Sequence, residues 1–413
     1  MAEVRDFNAY KKRRLGTKVV NPGKPVPEKR ETPAPQAKPH VARRTIVFRT
    51  MSILTVLALL ALISYFSWRD KKYTQANAVL SVNIPDAGET NCANLDGYIL
   101  QYSKDGVSCM QGNGEVVWNQ TYEMQAPMLE TCGNVAAIAD YNGRTVFIMD
   151  TTAPIGEVHT NLPIRAFHVA SQGVVAVVLD DTDVTWISLY DPQGNELASF
   201  RTTMGDSGYP LSVSLSPNGK MVCVSFLTVD GAYAKTSIAF YNFGEVGQNE
   251  TDNFVGGFDY RDCVVPRVRF LDDSHLYAIA TDRIMFFEGD QRPMPKAQML
   301  LGSEEIRAVY ESNGHVGVVF AGGSDEGDYR LQVYDADGKE CFVRYFDMEY
   351  TGVLFGDRNV VLYNSGTWRI VGMDGSDKFE DSFDFTVKAI VPTSVRDRFL
   401  LVASDRIRTV ELK

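Results

Sequence analysis

The chain has 413 residues, a net charge of −11 at pH 7 and 45% hydrophobic residues, a composition typical of a globular protein. The charge is unevenly distributed: residues 1–49 hold thirteen Lys or Arg and four Asp or Glu, a net charge of +9, which leaves −20 for residues 50–413. Nucleic-acid binding would need a folded reader or aromatic platforms, and the basic tail contains neither. No nucleic-acid partner is therefore expected.

Residues 1–49 form a basic, proline-rich tail, with six prolines between Pro22 and Pro39. Such a composition cannot bury enough apolar surface to offset the entropy of the chain, so we expect the tail to be disordered. The PxxP pattern at residues 22–25 and the basic cluster at residues 11–14 are compatible with a partner or an anionic lipid surface. The plainer interpretation, a solvated tail whose charge mainly sets topology, is favoured over both.

Residues 50–68 are 19 consecutive residues without a charge. As a helix they would span roughly 28 Å, close to the hydrocarbon thickness of a bilayer. Nine of them are Leu, Ile, Val or Phe, so insertion is expected to be favourable by about 3 to 5 kcal/mol. We interpret the segment as an uncleaved transmembrane signal anchor; a buried helix and a cleaved signal peptide fit its length and flanks less well.

The basic excess before residue 50 predicts the orientation of this anchor. Positive charges stay preferentially in the cytoplasm, so the tail should be cytoplasmic and the acidic C-terminal part extracytoplasmic. We expect a single-pass protein of the cell membrane, with a stalk at residues 69–77 and a folded domain at residues 78–413.

After the stalk the chain consists of short apolar segments separated by Gly, Asp, Asn and Pro turns. Residues 174–179, 221–226, 315–320 and 399–403 have the length of buried strands, and each is followed by a polar turn and a second strand. The turns at residues 190–194 (YDPQG) and 334–338 (YDADG) are nearly equivalent. The period is roughly 40 residues, which is typical of four-stranded propeller blades.

Eight repeats are marked by their first residues: Asn91, Gln125, Leu162, Gly208, Asp262, Ser303, Tyr350 and Phe385. They predict an all-β propeller of about eight four-stranded blades, with seven blades, a β-sandwich pair or a β-solenoid as alternatives. The last repeat is one strand short, whereas Ala78 to Ile84 is a spare apolar strand in which Val79, Leu80, Val82 and Ile84 supply the apolar side chains. Pairing the two would close the ring and remove its open edges.

One motif carries a resemblance to a known superfamily. Gly114 and Trp118, spaced as Gly-x-x-x-Trp, resemble the outer-strand motif of quinoprotein-dehydrogenase-like propellers, in which the Trp packs between adjacent blades. The chain as a whole thus resembles the quinoprotein-dehydrogenase-like / WD40-like β-propeller superfamily. The equivalent places near His159, Phe200 and Tyr345 lack Trp. The order of basic tail, anchor and propeller also resembles bacterial membrane-anchored propeller proteins, which implies location and fold but no particular reaction.

The resemblance implies a calcium-bound quinone cofactor and a vicinal cysteine pair for the enzymes of the class. The six cysteines here are widely separated: Cys92, Cys109, Cys132, Cys223, Cys263 and Cys341. No cofactor is therefore expected, and Cys223 lies in an apolar strand, where a buried thiol is typical. One disulfide, Cys109 with Cys92 or Cys132, remains open for an exported domain.

Four histidines fall in different repeats without the short spacing of zinc ligands: His159, His168, His275 and His315. Acidic groups at residues 180–183, 272–273 and 325–328 offer the hard oxygen ligands that calcium prefers, but each is typical of a solvated hairpin tip. No metal site and no catalytic residue are assigned, because the sequence contains no nucleophile elbow, phosphate loop or zinc-protease motif.

Two functions remain open from the sequence alone. The lack of a chemical motif favours a binding or scaffolding module for a protein or a cell-envelope component. The alternative is an exported carbohydrate-active hydrolase or lyase whose carboxylates converge on one face of the ring.

Overall fold

The computed structural model describes residues 43–69, 71–85, 88–181, 184–205, 207–231, 233–312, 314–324, 327–356 and 358–413. They separate into two compact units, divided between Arg69 and Asp70. The predictions for residues 1–42 lie outside the described residues.

Helix α1 spans Arg43–Arg69, and its side chains are described from residue 48 to residue 63. These side chains are exposed, including large apolar ones such as Phe48, Leu54 and Ile63. Within the part of the chain that the structure describes, no helix has the length and hydropathy needed to cross a membrane. The transmembrane anchor therefore stays a prediction.

The described part of the second unit forms eight four-stranded antiparallel sheets, which are the blades of a β-propeller. The predicted eight-bladed fold is confirmed. Blades 1 to 4 contain β2 (Asn91–Leu95), β3 (Tyr98–Tyr102), β4 (Gly106–Met110) and β5 (Val116–Thr121); β6 (Pro127–Cys132), β7 (Val135–Asp140), β8 (Thr145–Asp150) and β9 (Pro154–His159); β10 (Ile164–Val169), β11 (Val175–Asp181), β12 (Val184–Tyr190) and β13 (Glu196–Thr203); and β14 (Tyr209–Leu215), β15 (Met221–Asp230), β16 (Tyr233–Asn242) and β17 (Phe254–Arg261).

Blades 5 to 8 follow in the same order. They contain β18 (Arg267–Phe270), β19 (His275–Ile279), β20 (Arg283–Glu288) and β21 (Met294–Leu300); β22 (Ile306–Ser312), β23 (His315–Ser324), β24 (Gly327–Asp335) and β25 (Glu340–Phe346); β26 (Gly352–Phe355), β27 (Asn359–Tyr363), β28 (Thr367–Gly372) and β29 (Asp377–Ser382); and β30 (Ala389–Pro392), β31 (Arg398–Val402) and β32 (Arg406–Leu412), joined by β1 (Ala76–Asn83).

Strand β1 closes the ring by pairing with β32, from Ala76 opposite Leu412 to Asn83 opposite Arg406. The predicted pairing of the first and last strands is therefore present. The expected role of its side chains is wrong in part: a register shift between Ala78 and Leu80 interrupts the ladder, and Val79 and Leu80 are 52% and 43% exposed. The side chains at these two positions are exposed because β1 is the outermost strand of blade 8, whereas Ile84, just after β1, is buried between blades 8 and 1.

The first strands of neighbouring blades contact one another around the axis, as β6 does with β10, β10 with β14 and β14 with β18. Eight buried clusters hold the described blades together, one at each junction between neighbours. Second strands such as β11 are buried along almost their whole length, because both of their faces pack against other blades. This explains their near-continuous Val, Ala and Leu sequences.

Trp118 lies at the junction of blades 1 and 2, packed in a cluster with Ala136 and Ile138. Its Nε1–H donates to the backbone oxygen of Asp150 at 2.9 Å. The inter-blade role implied by the Gly-x-x-x-Trp resemblance is thus present in this structure. At the junction of blades 3 and 4 the place of the Trp is taken by Phe200, whose ring stacks on Tyr241 with 4.4 Å between the ring centroids.

The two faces of the ring carry different connections. The turns between first and second strands and between third and fourth strands lie on one face, which we call the lower face. The turns between second and third strands and the connections between blades lie on the other, which we call the upper face. Because β1 begins beside Leu412 at the end of β32, the chain enters the propeller on the lower face.

Candidate functional site: the axial charge cluster and the blade 4 patch

The residues singled out in the sequence occupy separate places. Among the histidines, His159 is exposed and lies 3.1 Å from Glu157, and the His315 ring stacks on Phe355. His275 lies beside Asp272 on the lower face, whereas His168 is buried near the axis. These four histidines do not converge on a zinc site.

All six cysteines are free thiols, so the disulfide left open by the sequence is not present. Cys223 is fully buried, as its apolar strand predicted, and burial raises its pKa well above the ordinary value. Cys92 and Cys109 both lie in blade 1 but form no disulfide, and the other three thiols lie elsewhere in the ring.

Three of the described acidic side chains have structural partners. Asp180 pairs with Arg165 at 2.7 Å, and Asp272 accepts backbone hydrogen bonds from Ser274 and His275. Asp273 accepts one from the Asn218 backbone. Residues 182, 183, 325 and 326, which belong to two of these groups, lie outside the described residues.

One group of side chains within the described ranges has the composition of a metal site: His275, Glu288 and Asp337, whose ligand atoms lie within 4.8 Å of one another. The group lies on the lower face between blades 5 and 6. Lys296 already occupies it, since its ammonium is 2.6 Å from Glu288 and 3.7 Å from Asp337. A cation at this point would compete with a resident positive charge.

The axis of the ring holds a different cluster, which we call the axial cluster. It comprises five side chains from blades 2, 3, 5 and 6: Glu130 on β6, His168 on β10, Arg267 and Arg269 on β18, and Glu311 on β22. All five residues lie on first strands, which line the axis. The cluster therefore joins blades that are not neighbours in sequence.

The ion pair of Glu130 with Arg269 joins two residues of the axial cluster that are far apart in sequence and lie in blades that are not neighbours. Nη2 of Arg269 donates to Oε1 of Glu130 at 2.8 Å, between residues 139 positions apart. Both side chains are largely buried, at 19% and 23% exposure. A pair with this burial is screened far less than a surface pair, so losing one partner is costly.

Arg267 and Glu311 form the second pair. Nη2 of Arg267 donates to both oxygens of Glu311, at 2.6 and 2.7 Å. The hydroxyl of Tyr277 also donates to Glu311 at 2.7 Å, and burial together with this carboxylate raises the pKa of Tyr277. Glu311 of blade 6 thus accepts three short contacts from two side chains of blade 5.

His168 completes the axial cluster as a neutral imidazole. Its Nδ1 accepts a hydrogen bond from the backbone N–H of Leu215 at 3.2 Å, which places the ring proton on Nε2, 4.0 Å from Oε2 of Glu130. Burial, followed by the charges of Arg269 and Arg267, lowers the pKa of His168 well below its ordinary value. A buried imidazole beside two guanidinium groups remains uncharged at neutral pH.

A cavity of about 390 Å³ opens beside the axial cluster and is lined by Glu130, Ala166, Phe167, Leu211, Ser212, Val213, Pro266, Arg267, Val268 and Arg269. Its wall between blades 4 and 5 is closed by side chain to backbone hydrogen bonds. The N–H groups of Val268 and Phe270 donate to the hydroxyls of Ser212 and Ser214, at 3.2 and 3.0 Å.

The axial cluster was not found from the sequence, which directed attention to acidic turns instead. The available signal was the alternation in Arg267-Val268-Arg269-Phe270, where the charged positions share one face of a strand and the apolar positions share the other. The sequence gives no way to know that Glu130, 139 positions earlier, faces Arg269 across the axis.

A second candidate surface lies on the upper face of blade 4. We call it the blade 4 patch: Met204, Tyr209, Val229 and Tyr233, which are 61%, 37%, 66% and 67% exposed. Tyr209 pairs with Leu227 at the base of the hairpin that carries Val229 and Tyr233. The loop after Met204 packs on the same hairpin, since a Cβ on Gly208 would lie 2.5 Å from the Leu227 oxygen.

Comparison with known proteins identifies one family model, described as a family of unknown function (DUF5711), which matches residues 69–412. No curated protein matches the sequence. The matched residues include the whole described propeller.

Several solved structures resemble the chain in fold. The crystal structure of BamB from Moraxella catarrhalis is 14% identical, with a TM-score of 0.45, and the match covers 82% of this chain and all of that one. A crystal structure of the eukaryotic initiation factor is 13% identical, with a TM-score of 0.46, covering 73% of this chain and 79% of that one. BBS1N, crystallised in complex with ARL6DN, is 12% identical, with a TM-score of 0.41, covering 83% and 98%. At these identities the likeness concerns the fold alone.

Proposed function

We propose that this chain, which belongs to the family of unknown function DUF5711 through residues 69–412, is a membrane-anchored extracytoplasmic propeller that binds a protein partner. The observation that carries the proposal is the blade 4 patch. Val229 and Tyr233 extend from opposite faces of one hairpin tip, and large apolar side chains grouped in this way on a surface typically mark interaction sites, because their exposure to water is unfavourable. Tyr and Met are also enriched in protein interfaces.

The position of the blade 4 patch supports this role. It lies on the upper face, whereas residues 71–75 enter the ring on the lower face, where Thr74 bonds to the Lys413 backbone. The entering segment therefore leaves the patch uncovered. The hairpin that carries Val229 and Tyr233 is built of two ten-residue strands, which gives it a rigid base in the sheet.

The axial cluster supports binding over acid–base catalysis. Its two carboxylates are engaged by permanently protonated guanidinium groups, Glu130 by Arg269 and Glu311 by Arg267. The pairing suits a fixed scaffold that joins blades across the axis.

The anchor rests on the sequence of residues 50–68, which contains no charged residue, and on the apolar side chains exposed between residues 48 and 63 of α1. The +9 tail favours a cytoplasmic N-terminus and an extracytoplasmic propeller. Protease added to cells stripped of their wall should digest the propeller and spare the tail. Digestion of the tail with protection of the propeller would contradict this orientation.

Site-specific photocrosslinking in intact membranes tests the binding proposal. A benzoylphenylalanine in place of Tyr233 should crosslink to one reproducible protein. The same group in place of Leu300, which is 74% exposed on the outer strand of blade 5, is the matched control and should not. Equal crosslinking from both positions, or none from Tyr233, would contradict the proposal. Turnover of an envelope glycan by the purified full chain would favour the enzyme alternative.

A further inference from the structure

The structure assigns a second binding site, separate from the blade 4 patch: we propose that the axial cavity binds a small zwitterion with adjacent opposite charges, of the size of a free amino acid. The cavity of about 390 Å³ falls within the range of small-molecule sites in proteins. The proposal concerns a different ligand and a different surface from the partner site. Each of the two sites can therefore be tested without the other.

The cavity offers donors for a carboxylate. Arg267 and Arg269 both line it. Arg267 uses Nε for Tyr277 and Nη2 for Glu311, and Arg269 uses Nη2 for Glu130. Within the described residues, Nη1 of neither side chain has a hydrogen-bond partner. Guanidinium groups are well suited to carboxylates, because their N–H groups match the spacing of the two oxygens.

The cavity also offers an acceptor for an ammonium group. Glu130 lines it and uses Oε1 for Arg269. Its Oε2 lies 4.0 Å from Nε2 of His168, which exceeds hydrogen-bond length. His168 is held neutral with Leu215 as donor to Nδ1, so it does not neutralise this oxygen. An ammonium group can therefore approach Oε2 without displacing an ion pair.

The charge balance of the cluster selects the class of ligand. Arg267 and Arg269 line the cavity together with Glu130, and Glu311 behind them pairs with Arg267, so the axial cluster as a whole is neutral. A ligand with net charge would leave that charge uncompensated in a partly buried site, which is costly. A zwitterion adds one group of each sign and keeps the balance. Because Arg269 and Glu130 are in direct contact, the two groups of the ligand must also be adjacent, as in an α-amino acid.

Calorimetry with the purified full chain in detergent tests this inference. The probes are the standard amino acids, each titrated to about 10 mM, a range that detects dissociation constants near 1 mM. At least one should bind, and its N-acetyl and amide derivatives, which each lack one charge, should bind at least about tenfold more weakly. Alanylalanine, whose charges are farther apart, should also bind more weakly than the amino acid.

Two variants separate recognition from folding. Glu130→Gln should raise the dissociation constant of the bound amino acid at least about tenfold, since it removes the charged acceptor for the ammonium group. Because Glu130→Gln also breaks an ion pair, a second variant is needed. Ala166→Leu places a larger side chain in the cavity wall without changing a charge. It should abolish binding while the melting temperature changes little. The site is refuted if no amino acid binds, if the blocked derivatives bind equally well, or if Ala166→Leu leaves binding intact.

Discussion

Arg269 of blade 5 donates a hydrogen bond to Glu130 of blade 2 at 2.8 Å, so two blades separated by two others in the chain are tied together at the axis. A propeller whose junctions were held only between neighbours would have no such contact. The pair therefore contributes to the closure of the ring as a whole.

The Glu130–Arg269 pair predicts an unequal response to charge removal. Glu130→Gln should lower the free energy of unfolding by about 2 to 4 kcal/mol, because a largely buried guanidinium loses its partner. Glu380→Gln is the matched control: Glu380 pairs with Arg369 at 2.8 Å but is 62% exposed, so its loss should cost less than about 1 kcal/mol. Urea denaturation of the two variants measures the difference. An equal loss of unfolding free energy in both variants would show that the axial ion pair contributes no more to stability than an exposed one.

The packing of Trp118 indicates that it stabilises the junction between blades 1 and 2. Trp118→Ala should cost about 3 to 5 kcal/mol, because it leaves a cavity among buried side chains. Trp118→Phe should cost less than that, since it keeps most of the apolar contact while losing the hydrogen bond to Asp150. Thermal and urea unfolding check both values. A Phe variant as unstable as the Ala variant would assign the effect to the hydrogen bond instead of the packing.

Strand β1 predicts where the propeller can be shortened. A chain beginning at Lys72 keeps the pairing with β32, whereas one beginning at Asn91 exposes the edge of β32. The shorter chain should melt at least about 5 °C lower. The melting temperature of the full chain, measured in detergent, is the reference for both shorter chains. Equal melting temperatures would remove the argument that β1 closes the ring.

His168 predicts a pH dependence of stability with a defined sign. Its pKa in the folded protein is lowered well below the ordinary value, so as pH falls below about 6.5 the unfolded chain binds a proton that the folded chain does not. The stabilising contribution is complete above that pH and is lost on acidification, by at most about 1.4 kcal/mol per pH unit.

His168→Asn tests this dependence, because the amide oxygen can still accept from the Leu215 backbone. Urea midpoints measured between pH 7 and pH 5 should fall less steeply for the variant than for the natural chain, once carboxylate effects common to both are subtracted. Parallel profiles would mean that His168 is protonated in the folded state as well.

The sequence predicted the propeller because each blade repeats a local signal. Gly194 and Gly338, at φ 82° and φ 77°, end equivalent turns whose Asp191 and Asp335 cap the following backbone. Such turn chemistry acts within five residues, so it is visible in one sequence. Glu130 and Arg269 meet only when eight blades close, and no local pattern encodes that geometry. The exposure of Tyr233 likewise depends on what surrounds its hairpin.

The most direct test of the central claim is the affinity of the crosslinked partner for the full chain, measured by surface binding with the natural chain and two double variants. Val229→Ser with Tyr233→Ser should weaken binding at least about tenfold, because the patch supplies the apolar centre of the interface. Met294→Ser with Leu300→Ser, at residues 59% and 74% exposed on the outer strand of blade 5, should leave the dissociation constant unchanged within about twofold. Equal affinities for all three chains would contradict the assignment of the blade 4 patch as the partner site.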